Sequence, residues 1–321
     1  MLNTASAPNA ISATNTTLHR SRPHQEVHVS NPTATLKGKT ILMSGGSRGI
    51  GLAIALRAAR DGANIAILAK TAEPHAHLEG TVHTAVQEIN DAGGIGLAIV
   101  GDVRNDDDIQ HAVDATVEEF GGIDIVINNA SAINLSPTPA LDMKRFDLMH
   151  QINMRGAFAL PKTAYPHLKK AENPHILTLS PPLNLDPKWA GAHLGYTMAK
   201  YGMSMTTLGF AAEFAADGIA ANSLWPASLI HTAAIENLPG GEAMLSGART
   251  PDIVADAAHH MLTQPSRTFT GQFLTDEEAL ADAGVTDLSG YAINPDHPLT
   301  ADIFLTQDRM PKGSISPIPG E

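Results

Sequence analysis

The chain of 321 residues, 43% hydrophobic and 17% charged, can form one large domain or two small ones, and this composition excludes a wholly disordered protein. Its formal net charge of −12 disfavours nucleic acid or an anionic membrane as the main partner, because both need a basic surface. The sequence contains no cysteine, which excludes disulfides, thiolate catalysis and cysteine-ligated metals.

The two ends of the chain differ in composition from its middle. Residues 1–35 are rich in Thr, Ser, Asn, Pro and Ala and lack periodicity, which predicts a disordered arm. Residues 287–321 are rich in proline and predict a loosely structured tail on the surface. Neither a signal peptide nor the run of about 18 apolar residues that a membrane helix needs is present, so we expect a cytoplasmic protein without a membrane span.

Residues 36–286 alternate short apolar segments with amphipathic ones. In chain order, the predicted strands are Thr40–Ser44, Ile65–Ala69, Leu97–Val100, Ile123–Ile127, His175–Leu179, Ala220–Leu224 and Gln272–Leu274. The predicted helices are Ile50–Asp61, Glu79–Ala92, Asp107–Phe120, Met143–Tyr165 with a disturbance at Pro161, and Tyr196–Ala216. Apolar strands that alternate with helices predict a parallel sheet covered on both faces, which is one doubly wound α/β domain of Rossmann type.

A glycine-rich loop joins the first predicted strand to the first predicted helix. Its residues expected to contact the phosphates are Gly45, Ser47, Arg48, Gly49, Ile50 and Gly51. Backbone N–H groups in such a loop can approach a phosphate closely, and the following helix N-terminus favours negative charge. A tight turn is the alternative interpretation, but the strand–loop–helix context favours dinucleotide binding.

The end of the second predicted strand bears on the choice of dinucleotide. An acidic residue there would bind the ribose hydroxyls and repel a 2′-phosphate. This strand ends at Lys70, a cation that could meet a 2′-phosphate together with Arg48, so we expect NADP(H), with NAD(H) as the alternative. After the third strand, Asp102 could bind the adenine amino group while Val103 covers the ring.

Tyr196 and Lys200 begin a predicted helix with i, i+4 spacing, which places both side chains on one face. A free tyrosine has a pKa of about 10, too high for efficient proton exchange near neutrality. A nearby ammonium favours the phenolate and would lower that pKa. By itself the pair could equally be a core tyrosine beside a surface lysine.

These motifs together, in this order, resemble the short-chain dehydrogenase/reductase family over about residues 36–280. The resemblance rests on the glycine loop, Asp102-Val103, Asn128-Asn129-Ala130, Gln151-Ile152-Asn153, Tyr196 with Lys200, and Asn222 with Pro226. It implies an oxidoreductase that moves hydride between a nicotinamide and an alcohol or carbonyl carbon of a small, lipophilic molecule. It also implies a homo-dimer or homo-tetramer that uses the helices around Met143–Tyr165 and Tyr196–Ala216.

The resemblance also implies roles for particular residues. Tyr196 would donate or accept the proton, and Lys200 would hold the nicotinamide ribose and lower the pKa of that tyrosine. Asn153 would kink its helix and support a water-linked proton relay. Four further residues would contact the cofactor, two near its ribose and two near its carboxamide and diphosphate: Asn129, Ala130, Ile230 and Thr232.

One departure from the family pattern concerns the serine that normally orients the substrate. The family has a Ser-Ser pair after the fifth strand, whereas this chain has Ser180-Pro181, so a proline without hydroxyl or N–H takes the second position. Ser180 could substitute if the bend reorients it, and Asn184 or His193 could supply the donor instead. A cofactor-binding regulator with vestigial chemistry is therefore the alternative function, and a reductase of carbon–carbon double bonds is a third.

Two further patterns are weaker. The histidines include the pairs His75 with His77 and His259 with His260, but no acids converge on them, so we expect no metal. The segment around Ala227–Arg249 contains Gly240-Gly241 and predicts a mobile loop over the substrate.

Overall fold

The computed structural model describes residues 34–74, 80–236 and 244–317, which are organised around a seven-stranded sheet. Its strands are β1 (Thr40–Ser44), β2 (Asn64–Ala69), β3 (Ile95–Val100), β4 (Ile125–Asn128), β5 (His175–Thr178), β6 (Ala220–Trp225) and β7 (Phe273–Thr275). The order is β3-β2-β1-β4-β5-β6-β7, and every pairing is parallel. The predicted doubly wound fold is confirmed, and the strand order reverses between β1 and β4, where such folds bind ligands.

Helices cover both faces of the sheet. They are α1 (Gly49–Arg60), α2 (Val82–Asp91), α3 (Asp106–Phe120), α4 (Met143–Met149), α5 (Gly156–Leu168), α6 (Pro187–Ala192), α7 (Leu194–Glu213), α8 (Ala233–Glu236), α9 (Asp252–Leu262) and α10 (Asp276–Asp282). The last three and α6 were not predicted. Helix α9 is buried except for Asp252, Asp256 and His260, which are partly exposed and follow i, i+4, i+8 spacing along one face.

Alternate residues of the central strands feed two separate cores. Ile41 and Met43 of β1 pack on the side of α1 and α9. Leu42, between them, packs on the opposite side with residues of α3 and α5. Because both faces of each strand are buried, the strands are apolar throughout, and this is the pattern from which the sheet was predicted.

The helix predicted at Met143–Tyr165 is interrupted, but not at Pro161. A π-helical turn at His150–Arg155 separates α4 from α5, whereas Pro161 lies buried within α5. The missing N–H of Pro161 would have bonded to the carbonyl of Ala157, and that carbonyl instead accepts a hydrogen bond from Asn128 Nδ2 at 3.2 Å. The predicted site of the disturbance is therefore wrong, because a side chain from β4 satisfies the group that the proline leaves free.

The C-terminal segment is more tightly packed than the expected surface tail. The N–H of Ala301 donates to the carbonyl of Ile315 at 2.9 Å, and that of Asp302 donates to the carbonyl of Ala227 at 3.0 Å. Phe304 has 0% exposure and Leu305 1%, in a third apolar cluster beyond the carboxyl ends of the strands. The expectation of a loose tail is wrong for this part, because its aromatic and aliphatic side chains complete a core.

Several predictions from the ends and loops of the chain lie outside the described residues. These are the disordered arm up to residue 33, His75 and His77, and Gly240-Gly241 of the expected mobile loop. Among the described helices, none combines the length and apolar character needed to cross a membrane.

Replacing Phe304 with alanine tests whether the C-terminal segment belongs to the core. The buried ring contacts five aromatic residues, which are Trp189, His193, Tyr196, Tyr201 and Trp225. We expect Phe304→Ala to lower the free energy of unfolding by about 3–5 kcal/mol in urea titrations, since it removes a large buried side chain.

The matched control is Ile315→Ala in the same segment, because Ile315 is 48% exposed. That variant should change the free energy of unfolding by less than about 0.5 kcal/mol. Equal effects of the two substitutions would contradict the core role of Phe304.

Candidate active site

The loop between β1 and α1 has the backbone geometry of a phosphate cradle. Gly45 and Gly49 have φ angles of 76° and 56°, in the left-handed region that favours glycine. A Cβ atom at Gly51 would lie 2.4 Å from Nδ2 of Asn129 and 2.6 Å from the carbonyl oxygen of Gly45. Asn129 Nδ2 also donates to that carbonyl at 2.5 Å, so the end of β4 fixes the loop.

The N-terminus of α1 is suited to an anion. Arg48, its N-cap residue, makes no side-chain capping bond, and the first turn contains no acidic residue. The first backbone N–H groups of a helix have no intrahelical partner, and the helix dipole adds positive potential there. A diphosphate therefore fits this loop by both shape and charge.

A cavity of about 940 Å³ opens along the loop and across the carboxyl ends of the strands. All fifteen residues predicted to contact the cofactor line it: Gly45, Ser47, Arg48, Gly49, Ile50, Gly51, Lys70, Asp102, Val103, Asn129, Ala130, Tyr196, Lys200, Ile230 and Thr232. Thr232 lies close to Gly49, since a Cβ built at that glycine would be 3.3 Å from the threonine Cγ2 atom. The residues present therefore fit an extended dinucleotide.

The charges expected at the 2′-phosphate position are in the cavity but have protein partners. Nζ of Lys70 lies 3.2 Å from Oδ2 of Asp102, and Arg48 Nη2 donates to the carbonyl of Gly80 at 2.6 Å. Burial raises the pKa of Asp102, but hydrogen bonds from Arg104 and Lys70 outweigh this and lower it to about 2. The Lys70 side chain is 58% exposed, and an ion pair this open is worth at most about 1 kcal/mol. A ligand phosphate can therefore compete for it.

Tyr196 and Lys200 lie one turn apart on α7, and both line the cavity. Both are almost fully buried, with exposures of 5% and 3%. The ammonium of Lys200 donates to the carbonyl of Leu179 at 3.0 Å and lies 5.1 Å from the ring centroid of Trp225. The lysine is thus held in place by the end of β5 and by β6, while the tyrosine ring stacks on Phe304 at 6.1 Å.

The protonation of this pair differs from the expectation that Lys200 lowers the pKa of Tyr196. Burial raises the pKa of Tyr196, and the negative charge of Asp302 raises it further. Burial also lowers the pKa of Lys200 to about 7, although Asp302 acts in the opposite direction. Desolvation therefore dominates both groups and keeps the phenol protonated at neutral pH.

Asn153 and Ser180, the other two predicted catalytic residues, do not line the cavity. Asn153 lies in the π-helical turn, where its Oδ1 accepts from the N–H of Ala132 at 2.8 Å and its Nδ2 donates to the carbonyl of Ala132 at 3.0 Å. The hydroxyl of Ser180 is fully buried and pairs with that of Ser223 at 2.8 Å. Both side chains therefore brace neighbouring elements.

The two alternative donors, Asn184 and His193, also lie outside the cavity lining. Oδ1 of Asn184 accepts from the N–H of Asp186 at 3.0 Å. Nδ1 of His193 lies 3.1 Å from Oγ1 of Thr197, and burial lowers the pKa of this imidazole. The ring of His193 nevertheless lies edge-on to that of Tyr196, with ring centroids 5.9 Å apart.

Sequence reasoning missed two residues of the C-terminal segment that close the site. Asp302 lines the cavity with Tyr196 and Lys200, and Phe304 packs against Tyr196. The apolar run Ile303-Phe304-Leu305 within a proline-rich segment was the available signal, because a surface tail has no reason to contain it.

No group of three or more potential ligand side chains suited to a metal ion occurs in residues 34–74, 80–236 and 244–317. His259 and His260 instead pair with carboxylates, since their Nε2 atoms lie 2.8 Å from Asp61 and 2.8 Å from Asp282.

Comparison with known proteins identifies the class to which this fold and site belong. Residues 39–241 match the short chain dehydrogenase family, so the chain belongs to that family. It is therefore an oxidoreductase that acts on CH–OH and C=O groups with a nicotinamide dinucleotide, NAD(P)(H), as cofactor.

Its curated relatives include hydroxysteroid dehydrogenase-like protein 2 of Xenopus tropicalis, 52% identical over 88% of this chain and 67% of the relative. The human protein of the same name is 50% identical over 86% of this chain and 65% of the relative. The chain thus spans about two-thirds of their length. The segments that carry the narrower resemblance to this group include Ala69-Lys70-Thr71, Ser180-Pro181-Pro182-Leu183-Asn184 and Ile230-His231-Thr232-Ala233-Ala234.

Two solved structures are also similar over the whole of their own length. A putative dehydrogenase from Xanthomonas campestris is 57% identical, covers 85% of this chain and superimposes with a TM-score of 0.83. A short chain dehydrogenase from Mycobacterium thermoresistibile is 51% identical, covers 88% of this chain and has a TM-score of 0.82.

Proposed function

We propose that this protein uses NADP(H) to interconvert a lipophilic alcohol and the corresponding carbonyl compound, with Tyr196 as the proton donor or acceptor. One observation carries the proposal. Tyr196 and Lys200, one turn apart on α7, are both buried and line the same cavity as the glycine loop.

In the direction of reduction, a nicotinamide cofactor held along the glycine loop would supply a hydride to the carbonyl carbon. Tyr196 gives the proton of its hydroxyl to the carbonyl oxygen, so one carbonyl, one hydride and one proton become one alcohol. The raised pKa of Tyr196 keeps the phenol protonated at neutral pH, so the proton is present. Positive charge beside the phenol has to lower that pKa for the proton to be transferred efficiently. In oxidation, the ammonium of Lys200 favours the phenolate that must accept the proton.

The cavity wall supports a lipophilic substrate. The apolar side chains in its lining include Ile133, Leu179, Trp225, Pro226, Ile230 and Ile235. Such a wall favours apolar substrate groups through the hydrophobic effect, while a few polar groups fix the reacting oxygen.

Replacing Tyr196 with phenylalanine removes the proposed proton donor and preserves the ring that stacks on Phe304. We expect Tyr196→Phe to lower kcat by about 10²–10⁴-fold on any carbonyl or alcohol that the protein turns over. The dissociation constant of NADPH, measured by fluorescence titration, should stay within about threefold of the unaltered value.

The matched control is Tyr165→Phe on α5, where the hydroxyl donates to Asp217 at 2.7 Å, away from the cavity lining. Its turnover should equal that of the unaltered protein. Full turnover by the Tyr196→Phe variant would exclude the proposed role of the phenol.

The preference for NADP(H) is supported by the two cations at the end of the cavity, Lys70 and Arg48. Lys70→Glu should raise the KM for NADP at least about tenfold more than the KM for NAD, because a charge-assisted bond to phosphate is worth about 1.5–3 kcal/mol. The control is Lys37→Glu, because Lys37 is exposed and lies outside the cavity lining. This variant should leave the ratio of the KM for NADP to the KM for NAD unchanged. An unchanged ratio in the Lys70 variant would argue against the phosphate contact.

The burial of Ser180 against Ser223 favours one alternative, a cofactor-binding regulator with vestigial catalysis. On this alternative the protein binds NADP(H) but turns over no member of a broad panel of chain lengths, terpenoid alcohols and sterols. Turnover of any member, abolished in the Tyr196→Phe variant, decides for the enzyme.

Homo-oligomer formation is supported by an apolar surface on α5, α7 and the π-helical turn. Its exposed side chains are Met154, Phe158, Met198, Met205 and Leu208, with exposures between 39% and 54%. A Cβ at Gly202 would lie 2.6 Å from the side chain of Met154, so the elements pack closely enough to present one surface. Apolar surfaces of this kind commonly mediate association.

Light scattering should give the mass of a dimer or tetramer. The double change Phe158→Glu with Met205→Glu should give single chains, because it buries charge in the contact. Ile95→Glu is the control, since Ile95 is 57% exposed on the edge strand β3 and should leave the assembly intact. A single-chain mass for the unaltered protein would contradict the proposed oligomer.

A further inference from the structure

A carbonyl oxygen beside Tyr196 would need a second hydrogen-bond donor to hold it and to stabilise the charge that develops on it. The side chains of Ser180, Asn184 and His193 lie outside the cavity lining. Asp302, which belongs to the C-terminal segment, lines the cavity together with Tyr196 and Lys200. This inference deepens the proposed function and rests on it.

The backbone on both sides of Asp302 is firmly held. Its own N–H donates to the carbonyl of Ala227 at 3.0 Å, and the carbonyl of Ile303 accepts from Nε1 of Trp225 at 3.1 Å. Two residues on, the buried Phe304 adopts a φ of 72°, an uncommon conformation for a non-glycine residue that surrounding contacts must maintain. The elements that hold Asp302 are therefore those that line the cavity near Tyr196.

The two oxygens of Asp302 have different surroundings. Oδ1 accepts from the N–H of Ile303 at 2.7 Å. In the described part of the chain, no group donates to Oδ2. A carboxylic acid accepts through one oxygen and donates through the other. Oδ2 is thus the oxygen that can carry a proton and donate it in a hydrogen bond.

The charged groups around Asp302 support a neutral acid near neutrality. The pKa of Asp302 is raised to about 7, and burial is the largest cause. The carboxylate of Asp276 also raises this pKa, whereas the Ile303 N–H and the ammonium of Lys200 lower it. The phenol of Tyr196, whose own pKa responds to Asp302, stays uncharged. A substantial fraction of Asp302 is therefore protonated at pH 7, and this fraction falls as the pH rises.

We propose that Asp302, as a carboxylic acid, donates a hydrogen bond to the substrate's carbonyl oxygen next to the hydroxyl of Tyr196. Asp302 thereby supplies the hydrogen-bond donor that the family's serine would supply, because position 181 of this chain is a proline without a hydroxyl group. Asp302 keeps its proton through the reaction, and the transferred proton comes from Tyr196. The acid would be a catalytic residue supplied by the C-terminal segment.

Steady-state carbonyl reduction by the full-length chain, measured with NADPH from pH 5.5 to 9, tests the proposal. Asp302→Ala should lower kcat at pH 6 by about 10²–10³-fold, because it removes a donor to the developing oxyanion. Asp302→Asn keeps an N–H donor and should stay within about tenfold of the unaltered kcat. Asp296→Ala, which removes an exposed carboxylate from the same segment, should have no effect.

The pH profile separates this role from a structural one. In the unaltered protein kcat should fall as the pH rises through about 7, and this fall should be absent in Asp302→Asn, whose amide donates at every pH. If the fall in kcat came from deprotonation of Lys200, Asp302→Asn would move that fall to lower pH instead of abolishing it. The reason is that the negative charge of Asp302 raises the pKa of that lysine.

Three results would overturn the proposal: full turnover by Asp302→Ala, an equal loss of kcat in Asp302→Ala and Asp302→Asn, or a fall in kcat that moves to lower pH in Asp302→Asn. NADPH affinity and melting temperature, measured for every variant, identify unfolding as a cause of any loss. If Asp302→Ala does not fold, Asp302→Asn and its pH profile still decide. No turnover by the unaltered protein would overturn the proposed function itself, and this inference with it.

Discussion

The packing of Phe304 against Tyr196 is the contact on which the site depends. The phenylalanine is fully buried, and its ring centroid lies 6.1 Å from that of the tyrosine. It brings the C-terminal segment over the carboxyl ends of the strands and thereby excludes water from one side of the tyrosine. The same packing positions Asp302 in the cavity wall, so the electrostatics of the site follow from an apolar contact.

Exclusion of water affects the titratable groups in opposite directions. It raises the pKa of Tyr196, lowers that of Lys200 to about 7 and raises that of Asp302 to about 7. Each shift favours the neutral form, as expected when charge is removed from water without a full ionic partner. At neutral pH the site therefore holds protonated Tyr196 and a protonated fraction of Asp302, as the proposed reduction of a carbonyl group requires. A bound cofactor would shift these pKa values through its own charge.

The sheet and the cofactor cavity could be predicted from sequence because their signals are local. Each strand is a short apolar run, and residues such as Gly45 and Gly51 follow β1 directly. All fifteen residues expected at the cofactor lie in one cavity lining, since the carboxyl ends of parallel strands meet at one edge.

The rest depended on contacts between residues far apart in the chain. Nothing in the sequence near Pro161 shows that Asn128 donates to the carbonyl that the missing proline N–H leaves free. Likewise, nothing near Phe304 shows that its ring packs against Tyr196. Burial raises the pKa of Tyr196, whereas the spacing to Lys200 predicted a lowered one. Spacing along a helix indicates which charges are near, but it does not indicate how far the group is removed from water. Partners fixed only by tertiary packing leave weak local signals, and they include the acid at position 302.

A crystal structure of the protein with NADP(H) and a carbonyl ligand tests the central claim most directly. The account predicts that the hydroxyl of Tyr196 and Oδ2 of Asp302 both lie within hydrogen-bond distance of the ligand oxygen, with residues 301–305 packed as described. A Tyr196 hydroxyl directed away from the nicotinamide, or a ligand oxygen held without Asp302, would contradict it.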